Sequence, residues 1–185
     1  MQQHKNFLQL VKTRHSVRKF LDQPIDKAAL YKCVEAARLA PSANNAQPCR
    51  FMVVDEPELK EKLAKHAFNG IYTSSRWVSQ SPALIVILTH LDWISDRIGK
   101  QITGIHYYFV DAGIAGEHFI LQAQELEIET CWIGWFSSKG VKKALNLPHK
   151  YQPVAIIAAG YSDTKKTVRR KRRSLSEICW FNEIK

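Results

Sequence analysis

The sequence lacks the local motifs on which many catalytic mechanisms depend. It contains no Gly-x-Ser-x-Gly, no Gly-x-x-x-x-Gly-Lys, no His-Glu-x-x-His and no glycine-rich dinucleotide fingerprint. These absences argue against a nucleophile-elbow hydrolase, a P-loop nucleotidase, a zinc protease and a Rossmann-type dehydrogenase. The histidines are scattered without the spacing of metal ligands, so no metal site is predicted.

Cysteine is scarce, and long apolar runs are missing. The four cysteines form no Cys-x-x-Cys pair and are typical of reduced cytoplasmic thiols. The N-terminus has no signal-peptide pattern, and the longest apolar run, Ala83–Leu88, is too short to cross a bilayer. We therefore expect a cytoplasmic protein without membrane partners. With 185 residues, 45% of them hydrophobic, and no linker, residues 1–185 are predicted to form a single domain.

Positive charge is in excess, with a formal net charge of +10. Much of it lies in Lys165–Arg173, a run that could pair with the phosphates of DNA or RNA. Because this run has no interleaved aromatic residues and no recognisable nucleic-acid-binding motif, it is more simply a solvated connecting segment. No nucleic-acid partner is predicted, although a basic nucleic-acid-binding protein stays open as an alternative.

Two unusual runs near the start of the chain carry the functional signal. The cationic motif, Arg14–Lys19, places three cations and the hydroxyl of Ser16 within six residues. The Pro-Ser loop, Pro41–Pro48, is rich in small residues and amides and separates a predicted helix from a strand. Guanidinium and hydroxyl donors suit phosphate oxygens, and amides suit the edge of a heterocycle. Together the two runs predict a phosphorylated cofactor with a polar ring, which favours FMN.

The order of these motifs resembles that of the nitroreductase family of FMN-dependent oxidoreductases. Arg14–Phe20 is similar to the opening motif of that family, Ala40–Pro48 to its Pro-Ser loop, and Phe51–Val54 to the strand that follows. Later blocks of the family are matched by Asp111–Ala115, Cys131–Gly134 and Ala159–Tyr161. The resemblance therefore extends over nearly the whole chain.

The resemblance implies a set of cofactor-binding residues and no catalytic side chain, because the redox chemistry lies on the flavin. The residues that would bind the phosphate and ring from one subunit are Arg14, His15, Ser16 and Arg18. Those that would face the flavin of the other subunit are Pro41, Ser42, Ala43 and Asn45. Those that would approach ring atoms N5 and O4 at a strand end are Trp132, Ile133 and Gly134. For the basic residues that would reach the phosphate from the C-terminal segment, alternation allows Arg170 and Arg172 or Lys171 and Arg173, and we take the first pair.

Trp135 departs from the family, since many members have a second glycine at this position. The residue either narrows the substrate pocket or belongs to the core, and the sequence leaves both interpretations open.

Hydrophobic periodicity predicts alternating helices and strands. The predicted helices are Lys27–Leu39, Pro57–His66, Ile105–Leu126 and Ser138–Leu145, and the predicted strands are Arg50–Val54, Ala83–Thr89, Thr130–Ile133 and Val154–Ala159. The continuous apolar run of Ala83–Thr89 indicates a central strand buried on both faces. The resemblance implies an α+β nitroreductase-like fold, in which helices flank a mixed, mostly antiparallel sheet.

Gly113 and Gly116 remove side-chain bulk from the long predicted helix. Glycine in a helix interior costs about 1 kcal/mol relative to alanine, so a close approach is expected there. The contact is either helix-on-sheet packing within one chain or, as the resemblance implies, the centre of an intertwined homodimer. In the second case two FMN sites would lie at the dimer interface.

The predicted function is that of an FMN-dependent NAD(P)H oxidoreductase. By resemblance, NADH or NADPH would transfer a hydride to the flavin in a ping-pong reaction, and a nitroaromatic, a quinone or a related acceptor would then be reduced. Three alternatives stay open: flavin fragmentation or dehalogenation on the same fold, a flavin-holding module without turnover, and the nucleic-acid-binding protein.

Overall fold

The computed structural model of the chain describes residues 6–90, 104–163 and 171–184. Its helices are α1 (Phe7–Thr13), α2 (Lys27–Arg38), α3 (Pro57–Ala67), α4 (Tyr107–Glu125) and α5 (Ser138–Ala144). Its strands are β1 (Cys49–Val54), β2 (Ala83–His90), β3 (Glu129–Ile133) and β4 (Tyr151–Gly160). Short 3-10 turns occur at Ala43–Asn45, Gly70–Gln80 and Leu175–Glu177. Within these described ranges, no helix is long and apolar enough to span a membrane.

The four strands form one sheet in the order β1-β2-β4-β3, and every neighbouring pair is antiparallel. The parallel component is an isolated bridge between Ser16 and Thr130, beside β3. Helices cover both faces of the sheet, because α3 and α5 pack on one face while α2 and α4 pack on the other. The predicted α+β fold with a mostly antiparallel sheet is confirmed.

Strand β2 is the centre of the core. Seven of its eight residues are buried, and only His90 is partly exposed. Its side chains alternate between the two core clusters, as the two-residue period of a strand requires. Because both faces are covered, the strand is apolar throughout, and the prediction of a central buried strand is confirmed.

Particular side chains determine where several helices and strands begin. The Asp26 carboxylate accepts a hydrogen bond from the N–H of Ala28 at 3.0 Å and caps α2, and Pro57 begins α3. Strand β4 is longer than predicted, because it continues through Pro153 to Tyr151. Pro153 is tolerated there because it lies at an irregularity in the pairing with β2.

Helix α1 is absent from the sequence-based prediction. None of its residues is buried, so it lacks a core-facing apolar stripe. Asn6 caps it by accepting a hydrogen bond from the N–H of Leu8 at 3.0 Å. The helix leads the chain directly into the cationic motif.

Candidate functional site

The cationic motif lies along the outer edge of β3. The N–H of Val17 donates to the carbonyl of Thr130 at 3.0 Å, and Ser16 forms the parallel bridge to the same residue. Val17 is buried, whereas Ser16 and Arg18 on either side of it are exposed. Because side chains alternate along an extended backbone, the residue that anchors the motif points inward and its neighbours point outward.

Side chains of the cationic motif lie near the thiol of Cys131. Burial raises the pKa of this thiol, while the charges of Arg18 and Arg14 and a hydrogen bond from Ser16 lower it. The side chains of Arg14, Ser16 and Arg18 are therefore all close enough to Cys131 to affect its ionisation. Cys131 itself is buried, as expected for a small core residue rather than a nucleophile.

His15 contributes a buried polar atom that this chain does not satisfy. Its Nδ1 lies 3.3 Å from the carbonyl oxygen of Thr13 and 3.8 Å from Oε2 of Glu129. Its Nε2 is buried and has no hydrogen-bond partner within residues 6–90, 104–163 and 171–184. An unsatisfied buried polar atom costs about 1–3 kcal/mol, so this atom is suited to a ligand.

The donor set matches the chemistry of FMN. In the described part of the chain, neither Arg14 nor Arg18 has a carboxylate within ion-pair distance. Two available guanidinium groups and a hydroxyl suit a phosphate, and the imidazole of His15 suits the polar edge of a ring. The residues present therefore fit a phosphorylated heterocycle.

The Pro-Ser loop is held in an unusual conformation by its own hydrogen bonds. Asn44, Asn45 and Gln47 have φ values of 50°, 54° and 47°, which lie in the left-handed region. Ser42 Oγ accepts from the N–H of Gln47 at 2.9 Å, and Nε2 of Gln47 donates to the carbonyl and Oδ1 of Asn45. Strained backbone of this kind persists where surrounding contacts determine it, and it is frequent at ligand sites.

A residue to which the sequence analysis assigns no role fixes this loop to the rest of the fold. Asp111 of α4 is only 5% exposed, and its Oδ1 accepts a hydrogen bond from the N–H of Ala43 at 2.9 Å. Beside this contact lies a cavity of about 270 Å³ between α2, the loop and β1. A carboxylate within the apolar face of a long helix is the sequence signal that could have identified the residue.

The cationic motif and the Pro-Ser loop belong to opposite edges of the sheet. The motif follows β3, whereas the loop leads directly into β1, and these are the two outer strands. Because the motif pairs outside β3, four strand spacings separate it from β1, which is about 19 Å. The structure thus brings Arg14, His15, Ser16 and Arg18 to β3. The other predicted group lies in the Pro-Ser loop beside β1, at the opposite edge of the sheet. It consists of Pro41, Ser42, Ala43 and Asn45.

The backbone at the end of β3 is exposed at Gly134 and accessible to a ligand. Ile133 is buried in the core, but Gly134 is exposed, and no heavy atom lies within 4 Å of where its Cβ would be. Trp132 is 38% exposed, and its ring packs on Gly116 of α4, where a Cβ would overlap with it. The close approach at Gly116 is therefore within the chain, whereas the space at Gly113 is open.

Trp135 does not belong to the core, because its side chain is 57% exposed. Its Nε1 donates a hydrogen bond to the carbonyl of Ile71 at 3.0 Å, and its ring centroid lies 5.2 Å from that of Tyr72. The core interpretation of this residue is wrong, and the narrowed pocket stays a prediction.

Of the predicted C-terminal pair, Arg170 lies outside the described residues. Arg172 is exposed and donates from Nη1 to the carbonyl of its neighbour Lys171 at 3.3 Å. Its role at a phosphate stays a prediction.

Comparisons with known proteins identify the family of the chain. The model of the Nitroreductase family matches residues 11–161. A protein of Streptococcus pyogenes, provisionally named an NAD(P)H nitroreductase, is 29% identical over 86% of this chain and 91% of its own length. Among solved structures, a nitroreductase family protein from Clostridium difficile 630 is 30% identical, with a TM-score of 0.82 over 97% of this chain and 99% of its own.

A second solved structure, the FMN-dependent nitroreductase from Clostridium difficile R20291, is 29% identical. It covers 95% of this chain and 99% of its own, with a TM-score of 0.77. The fold, the order of the motifs and these relatives lead to one assignment. The chain belongs to the nitroreductase family, whose members are FMN-dependent NAD(P)H oxidoreductases.

Proposed function

We propose that this protein uses FMN to reduce nitroaromatic, quinone or related acceptors at the expense of NADH or NADPH. The observation that carries the proposal is the buried, unsatisfied Nε2 of His15 beside the cationic motif on β3. A buried polar atom next to available cations is arranged for a ligand that combines an anion with a polar ring.

Each group of residues has a separate task in holding this cofactor. Arg14, Ser16 and Arg18 bind the phosphate, and His15 contacts the polar edge of the ring. The exposed backbone at Gly134 offers an N–H donor that stabilises negative charge. When bound, FMN supplies the redox chemistry, taking electrons from NAD(P)H and delivering them to the acceptor in separate half-reactions. The residues named here bind and orient, and none of them is assigned a proton-transfer role.

We infer further that the site is completed by a second copy of the chain, in an intertwined homodimer. The separation of the cationic motif and the Pro-Ser loop on opposite sheet edges supports this, because one copy keeps them about 19 Å apart. Large apolar side chains also lie exposed on three segments, where a second copy could bury them. They are Phe7 and Leu8 on α1, Phe109 and Val110 on α4, and Leu175 and Phe181 near the C-terminus.

We also propose a cytoplasmic location and a single domain for each subunit. All four cysteines are free in the structure, which suits a reducing cytoplasm. Residues 1–185 are proposed to act as one nitroreductase-like domain within each subunit.

The test is an anaerobic experiment on the two half-reactions. The protein is purified without added cofactor, and its visible spectrum is recorded before and after NADH or NADPH and then after a quinone or nitroaromatic compound. We expect flavin absorbance that NAD(P)H bleaches and that the acceptor restores. Flavin that NAD(P)H fails to bleach would indicate a binding module without turnover, and a protein that binds no FMN would contradict the proposal.

A further inference from the structure

We propose that Trp135 is an acceptor-contact residue, whose indole ring forms a rigid wall beside Gly134 and selects planar aromatic acceptors. The inference rests on the proposed function and names the substrate class of the same site.

The position of Trp135 gives it access to a ligand at the end of β3. It follows Gly134 directly, and consecutive Cα atoms are about 3.8 Å apart. More than half of its side chain is exposed, although the adjacent Phe136 is buried in the core. A large aromatic side chain that the core does not use, next to exposed backbone, is available to a bound molecule.

The ring is exposed but not free to turn. The hydrogen bond from Nε1 to the carbonyl of Ile71 fixes one edge, and the ring of Tyr72 packs against it at an interplanar angle of 53°. Both partners belong to the Gly70–Gln80 turns, which are anchored by buried Val78. A side chain held in this way loses little further conformational entropy when a ligand stacks on it.

An indole ring held in one orientation favours ligands that can stack on it, which are planar aromatic molecules. An aromatic pair gains about 0.5–1.5 kcal/mol beyond its buried area, which corresponds to a roughly 2- to 12-fold change in affinity. A planar quinone or nitroaromatic ring can gain this contact, whereas a small inorganic oxidant cannot. Trp135 is therefore expected to discriminate among acceptors rather than to accelerate all of them.

The test isolates the acceptor half-reaction. The FMN-loaded protein is reduced with stoichiometric dithionite under nitrogen and is then mixed with menadione or with ferricyanide at several concentrations. The variants are Trp135→Leu, which removes the ring, and Trp135→Phe, which keeps a ring without the N–H donor. Tyr31→Leu, at an exposed aromatic residue on α2, is the matched control.

We expect Trp135→Leu to raise the half-saturating concentration of menadione about fivefold, with a limiting rate within about twofold of the wild type. Trp135→Phe is expected to recover most of the loss, and ferricyanide and the Tyr31→Leu control are expected to be unaffected. An unchanged menadione value, or equal shifts for both oxidants, would overturn the proposal. Failure of the proposed function itself would appear earlier, as a wild-type protein without flavin or without reoxidation.

A second measurement needs no turnover and no Leu variant. Menadione is titrated into the oxidised FMN-loaded protein while tryptophan fluorescence is recorded for the wild type and for Trp135→Phe. Stacking on Trp135 predicts a saturable quenching component that is present in the wild type and absent from the variant. Identical quenching in the two proteins would contradict the stacked contact.

Discussion

Asp111 and Ala43 are 68 positions apart in the chain, yet Oδ1 of Asp111 accepts a hydrogen bond from the N–H of Ala43 at 2.9 Å. The carboxylate is almost fully buried, so little water competes for this bond. The bond ties the strained Pro-Ser loop to α4. The position of the loop therefore depends on a helix that itself packs against the sheet.

Replacement of Asp111 tests this tie. Because hydrogen bonds to charged groups contribute about 1.5–3 kcal/mol, Asp111→Ala is expected to lower the free energy of unfolding by that amount. It should also increase hydrogen exchange at the amide of Ala43. Asp111→Asn keeps an acceptor at the same place and should show a smaller loss. Unchanged exchange at Ala43 in the Ala variant would show that other contacts hold the loop.

Two glycines of α4 should respond oppositely to the same substitution. Gly116→Ala places a Cβ against the ring of Trp132 and the side chain of Ile87. Overpacking of this kind lowers the free energy of unfolding by about 1–3 kcal/mol. Gly113→Ala meets nothing within 4 Å and gains about 1 kcal/mol of helix propensity within the isolated chain. Urea unfolding measures both, and near-ultraviolet circular dichroism reports the displacement of Trp132. A stabilised Gly116→Ala protein would contradict the packing described.

Removal of two donors tests the phosphate contacts of the cationic motif. The double variant Arg14→Ala with Ser16→Ala is expected to weaken FMN binding at least about tenfold, since charged hydrogen bonds are each worth more than 1.4 kcal/mol. Unfolding should change little, because neither side chain is part of the core. Lys12→Ala, an exposed cation of α1, is the control. Equal FMN affinity in the double variant would remove the phosphate role of the motif.

Alkaline pH should destabilise the protein through a buried thiol. Burial raises the pKa of Cys33 to about 12 from the ordinary thiol value of 9.0. Above pH 9 the unfolded chain releases this proton while the folded chain retains it, so the stability that is fully present below pH 9 is lost as the pH rises toward 12. The unfolding free energy of the wild type should therefore fall more steeply over this range than that of Cys33→Ala. Parallel curves for the two proteins would rule out Cys33 as the titrating group.

The strongest sequence patterns predict the elements that are most buried. The apolar run at Ala83–Thr89 predicts β2 to within one residue at its end, because a strand covered on both faces leaves no polar positions. The start of β4 is not predictable in the same way. In the sequence, Pro153 indicates the end of a strand, because proline interrupts strand pairing. The strand continues only because the pairing with β2 is irregular at this point, and β2 is distant in the chain.

The same division applies to the site. The cationic motif and the Pro-Ser loop are visible in the sequence because each is a local concentration of functional residue types. The contact between Asp111 and Ala43 is not visible, since it depends on how α4 docks beside the loop. The orientation of the Trp135 ring is not visible either, since it depends on a hydrogen bond to Ile71, 64 positions away in the chain.

We propose that one FMN site uses the cationic motif of one subunit and the Pro-Ser loop of the other. The most direct test pairs two defective chains with different affinity tags, one carrying Arg14→Ala with Ser16→Ala and the other carrying Ala43→Trp, and purifies the mixed dimer. Each homodimer is defective in both of its sites, whereas the mixed dimer has one intact site and should bind about one FMN with wild-type affinity and show about half of the wild-type activity, by symmetry. A mixed dimer without FMN or activity would contradict the shared site, because two defective chains cannot complement when each site lies within one chain.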